Sequence, residues 1–159
     1  MLQTPALASK LAGNPFKIPY SERALSHDIK RLHKAWRVFQ SSRDRNAVYP
    51  FLSAAFELVQ WWLVENKAVE RAEQALSIKE VDAPEKVEPF AAVIIVGAYP
   101  SAVDRRLVNK WSRVLRYAVA FKSPKQRLGR FIRAKGGLNA CAAEYSDRLG
   151  RRASPRARN

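Results

Sequence analysis

The sequence predicts an all-α fold: five to six helices around a hydrophobic central helix, with a basic C-terminal module of helix-turn-helix type and flexible termini. Three observations carry that expectation. Apolar residues recur at three- and four-residue intervals over several segments, the spacing of one helical face. Glycine is scarce, six in 159 residues, whereas a β-sandwich needs turn residues roughly every 8–12 positions. The single strand-like run, Val93 to Val96, has no second β-rich run to pair with, and an unpaired strand would leave its backbone groups unsatisfied. Hydrophobic residues make up 47% of the chain and include four Trp, enough to bury a core and to exclude wholesale disorder. The single Cys141 excludes an internal disulfide framework and a Cys-based zinc finger.

Residues 1–20 hold Pro5, Pro15 and Pro19 without apolar periodicity and read as a flexible arm preceding a single helical domain over 21–149. Ser21 is placed to cap a helix whose apolar positions, Leu25, Ile29, Leu32, Trp36 and Phe39, trace one face. Its other side carries Arg23, Lys30, Arg31, Lys34 and Arg37. Pro50 suits the first turn of the next helix, where its missing N–H needs no partner. No Pro or Gly interrupts the chain from Phe51 to about Leu76, so this stretch reads as central helix in its first half and edge cover in its second. Residues 81–88 read as a connection. Pro89 to Gly97 reads as a short buried helix ended by Pro100. Ser101 and Asp104 have the spacing of a capping pair ahead of a helix whose inner face is Val103, Leu107, Trp111, Val114, Leu115, Ala118 and Phe121. Ser123-Pro124 repeats the start signal for a helix that runs to Lys135 and stops at Gly136-Gly137. A last helix covers about 139–149, and 150–159 is an Arg-rich tail.

The chain carries 29 Lys/Arg against 14 Asp/Glu, a formal charge of +15. Residues 1–45 hold nine basic and three acidic side chains (+6), residues 46–100 four and eight (−4), and residues 101–159 sixteen and three (+13). Such segregation points to a binding surface for an anionic partner, most often nucleic acid.

Arg105, Arg106, Lys110, Arg113, Arg116, Lys122, Lys125, Arg127, Arg130, Arg133 and Lys135 fall within 31 residues. Arg106, Lys110 and Arg113 follow an i, i+4, i+7 stripe, and Arg127, Arg130 and Arg133 an i, i+3, i+6 stripe. Stripes of this kind neutralise phosphates and release counterions, which gives affinity without sequence information. The two helices around Gly136-Gly137 have the skeleton of a helix-turn-helix, with Phe131, Ala142 and Tyr145 expected to pack. Ile132 stands where a small residue is usual. The second helix offers Asn139 and Arg148 toward DNA, but also Glu144 and Asp147, which repel phosphates. Arg148, Arg151, Arg152, Arg156 and Arg158 could follow a backbone or a minor groove.

Other constellations point away from chemistry. Trp61 and Trp62 project about 100° apart on a helix, so one is expected in the core and the other partly exposed; both lie in the acidic middle, away from the basic stripes. His27 and His33, six residues apart, sit on different faces of one helix and read as surface or edge residues. Glu65-Asn66-Lys67 has the carboxylate-x-lysine spacing of metal-dependent nucleases, an element that belongs on a strand, whereas the context is helical. No phosphate-binding glycine motif is present. Neither catalysis, a metal nor a cofactor is expected. No membrane partner is expected either: the run 90–99 is too short to cross a bilayer, Glu57 and Gln60 interrupt 47–64, and the N-terminus lacks the pattern of a signal peptide. A cytoplasmic location is the default.

These features lead to the expectation of a small non-enzymatic DNA-binding regulator or accessory factor, of bacterial or mobile-element type. RNA binding by the same surface and docking of an acidic protein are the alternatives, and the acidic middle offers a contact for a homodimer. Two structural consequences follow. At least one of Gly136 and Gly137 should adopt φ > 0, and Arg113 and Arg130 should both face outward, so that reversing their charge weakens binding and spares the helices.

Overall fold

The structure, a computed structural model, describes residues 21–150, with side chains through Arg148; the expected arm over 1–20 and the tail residues Arg151 and Arg152 lie outside the described residues. The all-α class holds, with seven α-helices among the described residues rather than five or six: α1 Glu22–Ser41, α2 Val48–Val64, α3 Ala68–Ile78, α4 Pro89–Ala98, α5 Arg105–Phe121, α6 Leu128–Ala134 and α7 Leu138–Tyr145. A 3₁₀ turn, Arg45–Ala47, leads into α2, and a π turn, Ser146–Gly150, follows α7.

α1 begins where its cap predicts: the Ser21 hydroxyl accepts a hydrogen bond from Ala24 N–H at 3.0 Å. Leu25, Ile29, Leu32 and Trp36 are buried, with Phe39 packed at the edge. α2 supplies Phe51, Leu52, Ala55, Phe56, Val59 and Trp62 to the core. The window Arg45–Val64 is long and apolar enough to cross a membrane by length and composition alone; its buried side chains belong to the core, whereas Trp61, Leu63 and Val64 are exposed.

The extra helix arises because the expected continuous helix over 51–76 breaks at Glu65–Lys67. Asn66 takes φ 59°, its N–H donates to Leu63 O at 3.0 Å, and Lys67 N–H donates to Trp62 O at 2.9 Å. This pair of bonds is a Schellman cap with Asn in the left-handed position. α3 ends the same way: Glu80 has φ 55°, with Glu80 N–H donating to Ser77 O at 3.0 Å and Val81 N–H to Leu76 O at 2.9 Å. Ala68, Ala72, Ala75 and Leu76 form the buried face of α3, and the small alanines let it lie close against α4.

α4 is apolar throughout, from Pro89 to Ala98, and packs against α1, α2, α3 and α5. The Glu88 carboxylate caps it, accepting from Phe90 N–H at 3.1 Å and Ala91 N–H at 2.9 Å. Gly97 marks the tightest crossing. A Cβ there would lie 3.0 Å from Phe51 Cε1 and 3.2 Å from Leu32 Cβ. Its carbonyl accepts from His33 Nδ1–H at 3.0 Å, so His33 is a half-buried tie between α1 and α4 at the edge of the core.

α5 starts later than its expected cap. Asp104, not Ser101, is the N-cap, accepting from Arg106 N–H at 2.7 Å, while the Ser101 hydroxyl accepts from Gln40 Nε2 at 3.2 Å. The buried face also shifts. Val108 and Tyr117 join Trp111, Val114, Leu115 and Ala118 in the core, whereas Phe121 stays 43% exposed. Trp36, Phe51 and Trp111 meet edge to face, with ring centroids 5.2–6.4 Å apart, joining α1, α2 and α5 in one aromatic cluster. Ser123-Pro124 opens a turn instead of a helix, and α6 begins only at Leu128.

Two changes of opposite sign test this account. Gly97→Ala should cost about 1–3 kcal/mol of stability through overpacking, measured by chemical denaturation. Glu80→Gly should raise stability by about 0.5–1 kcal/mol, because glycine adopts the left-handed cap without the Cβ penalty.

Candidate nucleic-acid interface

The charge-rich third of the chain is built on α5. One side of this helix enters the core, and another receives α7, making the most extensive helix–helix contact in the fold. α7 can come close because its facing residues are small: Cys141 and Ala142 are buried, and Ala140 is half-buried. Burial raises the Cys141 thiol above its usual range, with Lys135 opposing and Glu144 adding to the shift. Its sulfur lies 4.0 Å from Ile132 O, packed inside with no access for a substrate. Desolvation likewise raises Tyr117, with a further contribution from Glu144.

α6 and α7 are joined by the predicted glycine turn, and both glycines have positive φ: 106° at Gly136 and 107° at Gly137. Gly136 N–H donates to Arg133 O at 3.1 Å and Gly137 N–H to Ile132 O at 2.9 Å, the same cap that ends α2 and α3. Gly137, with ψ −178°, lies in a region essentially restricted to glycine. Phe131, Ile132 and Ala142 are buried and Tyr145 is half-buried.

The eleven cations from Arg105 to Lys135 divide into two groups. Lys110, Arg113, Arg116 and Lys122 are half-buried and engaged within the fold. Lys110 Nζ donates to Asn139 Oδ1 at 3.0 Å. Arg113 donates from Nη1 to Ser146 Oγ at 3.0 Å and from Nε to Asn109 O at 3.3 Å. The Arg116 guanidinium lies 4.9 Å from the centre of the Tyr145 ring. Lys122 Nζ donates to Ser123 O at 2.9 Å and Gln126 O at 2.7 Å, and stands over the Phe56 ring. The first three clamp α7 onto α5, and the fourth closes the α5–α6 loop.

Arg105, Arg106, Lys125, Arg127, Arg130, Arg133 and Lys135 are exposed. Arg105 and Arg106 open α5, and the other five lie along the α5–α6 loop and α6. The Arg133 guanidinium lies 5.1 Å from the Tyr49 ring centre and the Lys135 ammonium 5.8 Å from that of Phe131, cation–π contacts made while both residues stay exposed. Among the described residues the ion pairs are Lys67–Glu70, Glu65–Arg71 and Glu144–Arg148. None of them uses a residue between 105 and 135. Asp104 is occupied as the α5 cap.

The expected stripe Arg106–Lys110–Arg113 is therefore split: Arg106 is exposed, and its two companions hold α7. On α7 Asn139 accepts from Lys110, and in the turn after it Arg148 pairs with Glu144 at 3.3 Å while lying over the Phe121 ring.

The fold also makes a juxtaposition that the linear charge pattern conceals. Trp62 is fully buried and Trp61 is 43% exposed, the expected division. Yet Trp61 is not remote from positive charge. It lines a cleft of about 570 Å³ between α2 and the α5–α6 loop, together with Phe56, Val64 and Leu128. Lys122, Lys125 and Arg127 form the cationic wall of the same cleft, and Glu57 is its carboxylate. Positions some sixty residues apart meet there, and no local signal could have announced it. Arg71, ion-paired to Glu65, lies 5.4 Å from the Trp61 ring centre.

Glu65-Asn66-Lys67 is a helix cap and its ion pairs, with Lys67 Nζ 3.7 Å from Glu70. Among the described residues no group of three or more His, Cys, Asp or Glu is placed to hold a metal ion.

No protein-family model, curated protein or solved structure matches this chain.

The glycine turn sets the direction of α7, and α7 holds the half-buried cations in place. Gly137→Val should cost about 1–2 kcal/mol from the disallowed φ alone. Because no atom lies within 4 Å of a Cβ at Gly137, the loss reports backbone strain and not a clash. Gly136→Val adds a contact, since a Cβ there lies 3.1 Å from Ala140 Cβ, and should cost more in the same denaturation experiment.

Proposed function

We propose that this protein binds nucleic acid without catalysis, duplex DNA first, through the exposed cations at the start of α5, along the α5–α6 loop and on α6. The observation that carries the reading is the absence, among the described residues, of any ion pair drawing on residues 105–135, in a segment with eleven Lys/Arg and no Asp/Glu. A solvated helix face normally interleaves both signs. Among the described residues the fold gives these cations no carboxylate partner, and a phosphate backbone would supply counter-charge at regular spacing.

The contact surface in this proposal differs from a recognition helix laid in the major groove. Asn139 is engaged with Lys110 and Arg148 with Glu144, so α7 has few polar groups to offer to base edges. Phosphate contact by α6 and its preceding loop gives affinity and orientation with little sequence discrimination. A role as an accessory or architectural factor, acting in the cytoplasm, fits that balance better than one as a site-specific regulator. RNA remains the second substrate class, since backbone contact also suits A-form helices.

Anisotropy with a labelled 20-base-pair DNA and a structured RNA, each at two salt concentrations, tests the proposal. DNA affinity should fall steeply with salt, with a log–log slope of roughly −0.9 per phosphate neutralised. Arg130→Gln should reduce that slope by about 1 and leave the thermal midpoint unchanged. Arg113→Gln should instead cost about 1 kcal/mol of stability, by removing its bonds to Ser146 and Asn109. Absence of binding at low salt, or affinity indifferent to salt, overturns the reading.

A further inference from the structure

The outward side of α1 carries a second body of positive charge, which the contact surface on α5 and α6 does not use. At 100° per residue, Arg23, Lys30, Lys34 and Arg37 fall within about 60° of one another, on the side away from the buried Leu25, Ile29, Leu32 and Trp36. All four cations are exposed. No ion pair among the described residues draws on any of them. The acids of α1 are Glu22 and Asp28, and both lie about 90° or more from the centre of the stripe. Lys30, Lys34 and Arg37 border one open groove of about 460 Å³, together with His33, Val38 and Ser41. From Arg23 to Arg37 the stripe is about 21 Å long at 1.5 Å per residue. Residues 1–20, which precede it in the chain, add Lys10 and Lys17 and no acid.

α2 keeps this stripe apart from the cations of α6 and its preceding loop. α1 and α6 both pack against α2, and the exposed side of α2 lies between them. Glu57 borders a cleft shared with Asp28 and Leu32 of α1, and also the cleft shared with Lys125 and Arg127. α2 contains no Lys or Arg, and Glu57 is its one charged side chain. A polyanion crossing directly from one cationic face to the other would therefore meet a carboxylate. Two cationic faces divided in this way suit two separate segments of phosphate backbone better than one continuous track. An anionic bilayer is a poorer match, because an interfacial helix needs an exposed apolar face, and that of α1 is buried in the core.

We infer that the α1 stripe is a second contact for duplex DNA, so that one protein molecule holds two duplex segments at once. The inference rests on the nucleic-acid reading above and adds to it a bridging activity. A duplex held on one face raises the effective concentration of any segment linked to it at the other face. Both contacts neutralise phosphates, so bridging falls with salt more steeply than the binding of one duplex.

A capture assay with the full chain tests this. One 20-base-pair duplex is fixed to beads through biotin, and a second, fluorescent duplex of the same length is added with the protein. The parent should retain the fluorescent duplex at low salt and release it as salt rises. The triple variant Lys30→Gln, Lys34→Gln, Arg37→Gln should cut retention about fivefold or more, because three phosphate contacts are removed. Anisotropy should show its binding of one duplex weakened by no more than about threefold, since the α6 contacts remain. The double variant Arg127→Gln, Arg130→Gln should lose retention in the same way, and circular dichroism verifies the fold of each variant. A folded α1 variant that retains the second duplex as well as the parent overturns the inference and assigns any bridging to two copies of the α6 face. A parent that binds one duplex but captures no second also overturns it, the result given by a single duplex spanning both faces. If the α1 variant loses all duplex binding while the α6 variant keeps it, the surface in the functional proposal fails along with this inference. If the parent binds no duplex, the functional proposal itself fails.

Discussion

A ten-residue helix without one polar side chain must be covered on every side, and α4 imposes that condition on the whole molecule. Seven of the ten residues of α4 are buried and Pro89, Ala91 and Ile95 partly so, and each Å² of apolar area withdrawn from water is worth about 25 cal/mol. Four helices therefore surround it: α1, α2, α3 and α5. The closest approach is at Gly97, where Phe51 and Leu32 occupy the space a side chain would need. His33 then satisfies the Gly97 carbonyl, which the end of a buried helix would otherwise leave without a partner. The position of α5, and so of every cation it carries, follows from its place as one wall of this cage.

Much of that arrangement was legible in the sequence. The stripe Leu25, Ile29, Leu32, Trp36 and the buried character of 89–97 both follow from periodicity and composition, and both elements form as expected. What escaped was the way helices end. Three of them close with the same hydrogen-bond pattern, at Asn66, Glu80 and Gly136. Glycine alone announces that conformation, because it alone adopts it without a steric penalty. Asn adopts the conformation less readily than glycine, so Asn66 is a weaker signal, and Glu80, exposed like Asn66, gives none. This is why one long helix was expected over 51–76 where two exist. The capping error at Ser101 has a related cause: Ser and Asp are both good caps, and only the hydrogen bonds decide between two candidates three residues apart.

The candidate site was legible as charge and illegible as geometry. Sequence spacing puts Arg106, Lys110 and Arg113 on one stripe, and the helix does so too. Spacing does not say that α7 lies beside this stripe, drawing Lys110, Arg113 and Arg116 into contacts with Asn139, Ser146 and Tyr145. The expectation that Arg113 and Arg130 are equivalent surface cations fails for that reason. The converse error concerns Trp61. Its sequence neighbours are acidic, but its neighbours across the cleft are Lys122, Lys125 and Arg127.

The unequal treatment of these cations has an electrostatic logic. The half-buried ones are met by carbonyls, an amide oxygen, a hydroxyl and aromatic faces rather than by carboxylates. Neutral partners of this kind cost less desolvation than a buried ion pair, although Arg116 Nε is left without a hydrogen-bond partner, and they cancel no net charge. The structural cations therefore add to the field of the exposed ones instead of being neutralised within the fold. A carboxylate in place of any of these partners would have cancelled a positive charge and lowered the potential over α6. Mutual repulsion among the seven exposed cations weakens the isolated fold, and an anionic strand removes that repulsion on binding. The same surface charge that opposes compaction in the free protein thus becomes a source of affinity, and its strength must decline as salt screens it.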